Sequence, residues 1–121
     1  MKILLVDDDA FLRDMYATKF GEDGFVVQVA KSGLEALTFL KDEQDIDVVM
    51  LDMIMPGMSG LNLVKEIGEL PLTKKPKCIV LSNQSESTDV DEAMRLGAAG
   101  YIIKAEMIPS DVVKEVRKII G

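Results

Sequence analysis

At 121 residues, 48% hydrophobic and 29% charged, the chain can build one domain with its own core and is too apolar to stay disordered. A formal net charge of −7 disfavours direct binding to a nucleic-acid backbone. One cysteine excludes an internal disulfide. The lack of histidine excludes histidine acid–base catalysis, histidine metal ligands and a phosphohistidine within this chain.

The predicted elements alternate strand and helix. Ile3 to Val6 is a short apolar run, read as a buried strand that stops at Asp7-Asp8-Asp9. It is too short for a signal peptide, and no run reaches membrane-spanning length, so a cytoplasmic protein without a membrane partner is expected. Ala10 to Phe20 has Leu12, Met15, Tyr16 and Phe20 on one helical face, with Gly21 and Gly24 punctuating its end. Phe25 to Ala30 is the second strand. Ser32 caps a helix to about Lys41, with Leu34, Leu37 and Leu40 expected inward.

Val48 to Asp52 is the third strand: four apolar residues run into a carboxylate, and Pro56-Gly57 turns the chain. Ser59 caps a helix bearing Leu63, Val64 and Ile67 that ends near Gly68. The cluster Lys74-Lys75-Pro76-Lys77 reads as a solvated loop. Cys78 to Ser82 is the fourth strand, with Cys78 a small buried residue. Ser87 or Thr88 opens a helix with Val90, Ala93 and Met94 on one side, stopped by Gly97. Gly100 to Lys104 is the fifth strand, and Pro109-Ser110 start a last helix with Val112, Val113, Val116 and Ile120 inward.

Five strands alternating with five helices predict an α/β doubly wound three-layer sandwich on a parallel sheet, as one domain over residues 1–121. In such a sheet the carboxyl ends of the strands share one crevice. They deliver Asp7, Asp8, Asp52, Ser82 and Lys104. Three carboxylates repel one another and one lysine does not neutralise them, so a hard divalent cation is expected, magnesium with manganese as the alternative. A carboxylate nucleophile can attack phosphorus, with a cation, an ammonium and a hydroxyl steadying the transferring oxygens. The set suits phosphoryl transfer onto Asp52. Taken singly, Asp9 is a helix cap, Ser82 a loop serine and Lys104 a surface lysine.

The segments Ile3–Asp9, Ser32–Leu37, Asp47–Gly60, Val80–Ser82 and Gly97–Lys104 together resemble, in order and spacing, the receiver domain of bacterial two-component response regulators. The resemblance implies a flavodoxin-like fold with strand order 2-1-3-4-5. It implies that Asp52 accepts phosphate from a histidine kinase or histidine phosphotransfer protein. Asp8 and Asp52, with the Ile54 carbonyl, would bind the metal, and Asp7 would contribute through water. Ser82 would bond to the phosphoryl group and Lys104 would pair with it. Ser82 and Tyr101 would then switch the face of helix four, strand five and helix five, which serves a downstream protein, an output domain or a phosphorylation-linked homodimer. The alternative for Tyr101 is permanent packing as core.

Three departures stand out. Ala105 replaces the family's usual proline after the lysine, so a trans bond is expected there. Asn83 replaces a small residue after the switch hydroxyl. Ile54 and Gln84 occupy positions that tune phosphate lifetime, and Ile54 cannot orient an attacking water, which implies slow self-dephosphorylation.

The competing readings are a receiver-like interaction domain working without phosphate, a small aspartyl phosphatase and a flavin carrier. Such phosphatases carry an acid two residues after the nucleophile, where this chain has Ile54, and no Ser/Thr/Gly-rich phosphate loop follows the first strand. The leading expectation is a switch that acts on its own aspartate rather than an enzyme with an outside substrate, either free-standing or part of a longer protein.

Overall fold

The computed structural model describes residues 1–83 and 87–121. Five strands, β1 (Lys2–Val6), β2 (Val26–Ala30), β3 (Val48–Asp52), β4 (Lys77–Ser82) and β5 (Gly100–Ile103), form one parallel sheet in the order β2-β1-β3-β4-β5. The helices between them are α1 (Ala10–Glu22), α2 (Gly33–Asp42), α3 (Gly60–Glu69), α4 (Ser87–Arg95) and α5 (Pro109–Ile120). This is the doubly wound sandwich expected from the alternating pattern, with the flavodoxin-like strand order that the resemblance implies.

Side-chain parity along the strands divides the core in two. Ile3, Leu5, Val48, Met50, Ile79, Leu81 and Ile102 point to one face, where they meet Tyr16 and Phe20 of α1 and Val112, Val113 and Val116 of α5. Leu4, Val6, Val49, Leu51 and Val80 point to the other, against α2, α3 and Ala93 of α4. The first four residues of β3 and the last five of β4 are buried, so both faces are covered and no alternation shows. β2, at the sheet's edge, exposes Val26 and Val29.

Helix starts follow the capping residues. Asp9 accepts hydrogen bonds from the Phe11 and Leu12 amides, Ser32 from Glu35 and Ser59 from Asn62. Each such cap is worth about 1 kcal/mol. Pro109 opens α5 at a position where a missing N–H costs nothing.

Several expectations need correction. Leu34 does not face inward; it is 70% exposed, while Gly33, Ala36, Leu37 and Leu40 form the buried stripe. Met94 is also largely exposed, because Ala93 fills the inward position of α4. Helix α1 runs through Gly21 to Glu22, and the chain reverses at Gly24 (φ +94°). Phe25 lies before β2 rather than in it; its ring packs edge-on to Phe20 and under the Arg117 guanidinium. The basic cluster is the solvated loop expected at Lys74 and Lys75, which are exposed while Lys74 pairs with Asp47 and Lys75 donates to the Gly68 and Leu70 carbonyls; only Pro76 is buried.

Candidate functional site

The strand register sets the site. Ile3 pairs with Val48 and Val48 with Lys77, so β1, β3 and β4 end side by side, releasing Asp7, Asp52 and Ser82 along one edge. β5 pairs Ile103 with Ser82, which puts Lys104 next to that edge. Two backbone bonds finish the strands: the Asp7 amide donates to Ala30 O at 3.1 Å and the Met53 amide to Leu81 O at 3.0 Å.

Asp7 is 5% exposed. One carboxylate oxygen accepts from the Asp9 amide at 2.9 Å, which turns the chain into α1. Its carbonyl accepts from Arg13 Nη1 at 2.9 Å. Asp8 is exposed, and Asp52 is half-buried. Asp7, Asp8 and Asp52 each place a carboxylate oxygen within 4.8 Å of the others. Lys104 Nζ stands 3.4 Å from Asp52 Oδ2 and 3.8 Å from Asp7 Oδ2, with its side chain only 9% exposed.

Burial pushes the Asp7 and Asp52 carboxyls above the usual carboxylate range, and the nearby ammonium only partly opposes it. The same layer holds the Tyr16 phenol, which burial and then the charges of Asp7 and Asp52 push upward, keeping it neutral. By contrast Cys78, expected as buried filler, is buried and its thiol is pushed up to about 12, so it is inert.

Beyond Asp52 the edge opens into a cleft of about 610 Å³ walled by Ile54, Ser59, Ser82, Asn83 and Asp89. Ser82 is buried and Asn83 exposed. The Ile54 side chain is 79% exposed. Tyr101 is half-buried and packs against the core on the α2–α3–α4 side. After Lys104 the chain makes a short 3₁₀ turn, Lys104–Glu106, and no cis peptide bond occurs among the described residues. The trans path expected from Ala105 therefore still delivers Lys104 to Asp52. Gln84 lies outside the described residues.

All five of the sequence's strand-end residues thus meet at one edge. The donor set, three carboxylates facing one ammonium, fits a hard divalent cation better than any softer metal. Four features escaped the sequence. Arg13 is six residues from the carbonyl it holds. Gly60 lies against the Asp52 backbone: a Cβ there would sit 2.6 Å from Asp52 O and 2.8 Å from Met53 Cα. Tyr16 reads as ordinary core. Asp89 reads as a solvated helix residue until α4 is placed beside the cleft.

Comparison with known proteins agrees with this fold. The sequence pattern of the response regulator receiver domain matches residues 3–117. The chain is 34% identical to the chemotaxis protein CheY of Thermotoga maritima over 119 residues, covering 98% of this chain and 96% of that one. It is 35% identical over 104 residues to the two-component response regulator PhoP of Pseudomonas aeruginosa, covering 86% of this chain but 45% of PhoP. The chain therefore spans less than half of that relative. Among solved structures, Vibrio cholerae CheY4 superposes with a TM-score of 0.89 at 27% identity, covering 98% of this chain and 97% of that one. A response regulator receiver domain protein from Clostridium thermocellum gives 0.86 at 29% identity, covering 98% and 93%. The chain belongs to the response regulator receiver domain family.

Proposed function

We propose that the chain is a phosphorylation-driven switch of a two-component pathway, in which Asp52 accepts a phosphoryl group from a histidine kinase or histidine phosphotransfer protein. The observation that carries this reading is Lys104, held 3.4 Å from Asp52 and 3.8 Å from Asp7, beside a cleft that Asp52 and Ser82 line. An ammonium buried between two carboxylates is already aimed at the place where phosphoryl charge would arrive.

Asp8 and Asp52, with the Ile54 carbonyl and with Asp7 through water, would hold the divalent cation, magnesium or manganese. When bound, the cation supplies positive charge that offsets the carboxylates and the phosphoryl oxygens. The Asp52 oxygen that becomes the acceptor forms its bond to phosphorus as the bond to the donor breaks, and the donor leaves with the bonding pair. Lys104 and Ser82 then satisfy phosphoryl oxygens.

The new anion biases Ser82 and Tyr101 and so changes the face of α4, β5 and α5, which meets a downstream protein, an output domain or a second copy. The chain acts on its own aspartate and works in the cytoplasm. No helix among the described residues is long and apolar enough to cross a membrane.

The test is backbone NMR with magnesium and beryllofluoride, which mimics an acyl phosphate. Shifts spreading from Asp52 to Ser82, Tyr101 and the α4–β5–α5 face, absent in Asp52→Asn, are expected. Shifts confined to the metal ligands would contradict the switch.

A further inference from the structure

Asp52 and Asp89 are the charged residues lining the cleft among those described. Asp89 lies in the first turn of α4 and is half-buried, so its carboxylate is not simply on the open surface. It stands apart from the acidic group of Asp7, Asp8 and Asp52 that a cation would neutralise. Lys104 is committed to Asp52 and Asp7. An incoming phosphoryl donor therefore meets a second negative charge in the lining of the cleft, one that no described lysine or arginine pairs with.

We propose that Asp89 is a donor-selecting residue, which slows transfer from small, highly charged phosphodonors relative to less charged ones. The inference rests on the phosphoryl-acceptor reading of Asp52. In transfer from acetyl phosphate, the Asp52 oxygen bonds to phosphorus while the P–O bond to acetate breaks and acetate leaves with the electron pair. From phosphoramidate the P–N bond breaks and ammonia leaves, its nitrogen already carrying the proton. The chemistry at Asp52 is the same, but acetyl phosphate arrives as a dianion and phosphoramidate with one net negative charge. Asp89 opposes the first about twice as strongly. A free acyl phosphate has little else to hold it in the cleft. A protein donor can offset the repulsion with contact area, so the device favours docked partners over metabolic acyl phosphates.

The experiment compares second-order phosphorylation rates with acetyl phosphate and with phosphoramidate, at fixed magnesium, for the wild type and Asp89→Asn. At low ionic strength the substitution should raise the acetyl phosphate rate by roughly fivefold and the phosphoramidate rate by roughly twofold, the first factor being about the square of the second because the opposed charge is doubled. Both gains should shrink towards one as salt shortens the Debye length from ~30 Å at 0.01 M to ~3 Å at 1 M. Asp89→Glu, which keeps the charge, should behave like the wild type. Asp91→Asn removes the same charge from an exposed position on the same helix and should not separate the donors. Equal gains for both donors, no dependence on salt, or the same effect from Asp91→Asn would overturn the assignment. A wild-type chain that takes phosphate from neither donor would overturn the Asp52 reading itself, and the inference with it.

Discussion

Gly60 touches the backbone of Asp52 so closely that a single added carbon would sit 2.6 Å from the Asp52 carbonyl oxygen. The first residue of α3 is thereby wedged under the acceptor, and the Gly60 amide closes the turn by donating to Met53 O at 2.8 Å. Gly60→Ala must push backbone rather than a flexible side chain. It should cost about 1–3 kcal/mol in urea unfolding and slow phosphorylation of Asp52. Gly68, on the same helix, has open space around it, so Gly68→Ala should instead stabilise by about 0.5–1 kcal/mol.

The raised Asp7 and Asp52 carboxyls make a pH prediction with a definite sign. Burial is the largest cause for each, and it outweighs the attraction of Lys104. Folded-state values above the unfolded ones mean that the folded protein binds more protons in that window. The stability these groups contribute is full below the ordinary carboxylate range and is lost as pH rises through the raised values. In a metal chelator at neutral pH, Asp52→Asn should therefore melt higher than the wild type, with the gap closing as pH falls below the usual carboxylate range. Magnesium should stabilise the wild type by about 1.4 kcal/mol at ten times its Kd, and Asp52→Asn by less. A wild type melting above Asp52→Asn in chelator would contradict the dominance of burial.

Lys104→Ala should slow phosphoryl acceptance by about 10²–10³-fold, the usual loss when one preorganised charge-stabilising donor is removed. The fold should persist, because Lys104 follows β5 and makes none of its register pairs. Circular dichroism and phosphorylation kinetics on one preparation separate the two effects.

Ile54 is 79% exposed in the lining of the cleft, and its side chain is wholly apolar. It has nothing with which to orient a hydrolytic water, so the adduct should be long-lived. Ile54→Asn adds one polar contact, worth ~1 kcal/mol net or roughly a fivefold faster loss of phosphate. The decay of the phosphoryl adduct after donor removal measures it, and an unchanged decay rate contradicts the assignment.

The strands and the site edge were legible because unbroken apolar runs carry them. The uninterrupted apolar runs at Val48–Leu51 and Cys78–Leu81 report burial on both faces, and each breaks at a polar residue where the sheet ends. Parallel pairing then brings those endpoints together without further information. Leu34 and Met94 misled because a helical pattern does not say which of several apolar residues faces the sheet. In α2 the inward stripe is taken by Ala36, Leu37 and Leu40, and in α4 Ala93 fills the inward place. Gly60, Arg13 and Asp89 were hidden for another reason: their roles are contacts across the fold, set by where α3, α1 and α4 come to rest.

Intact mass after incubation with acetyl phosphate, with and without magnesium, beside Asp52→Asn, tests the central claim most directly. The account predicts one phosphoryl adduct on the wild type, dependent on magnesium and absent from the variant. An adduct that persists in Asp52→Asn, or none on the wild type under any condition, would contradict it.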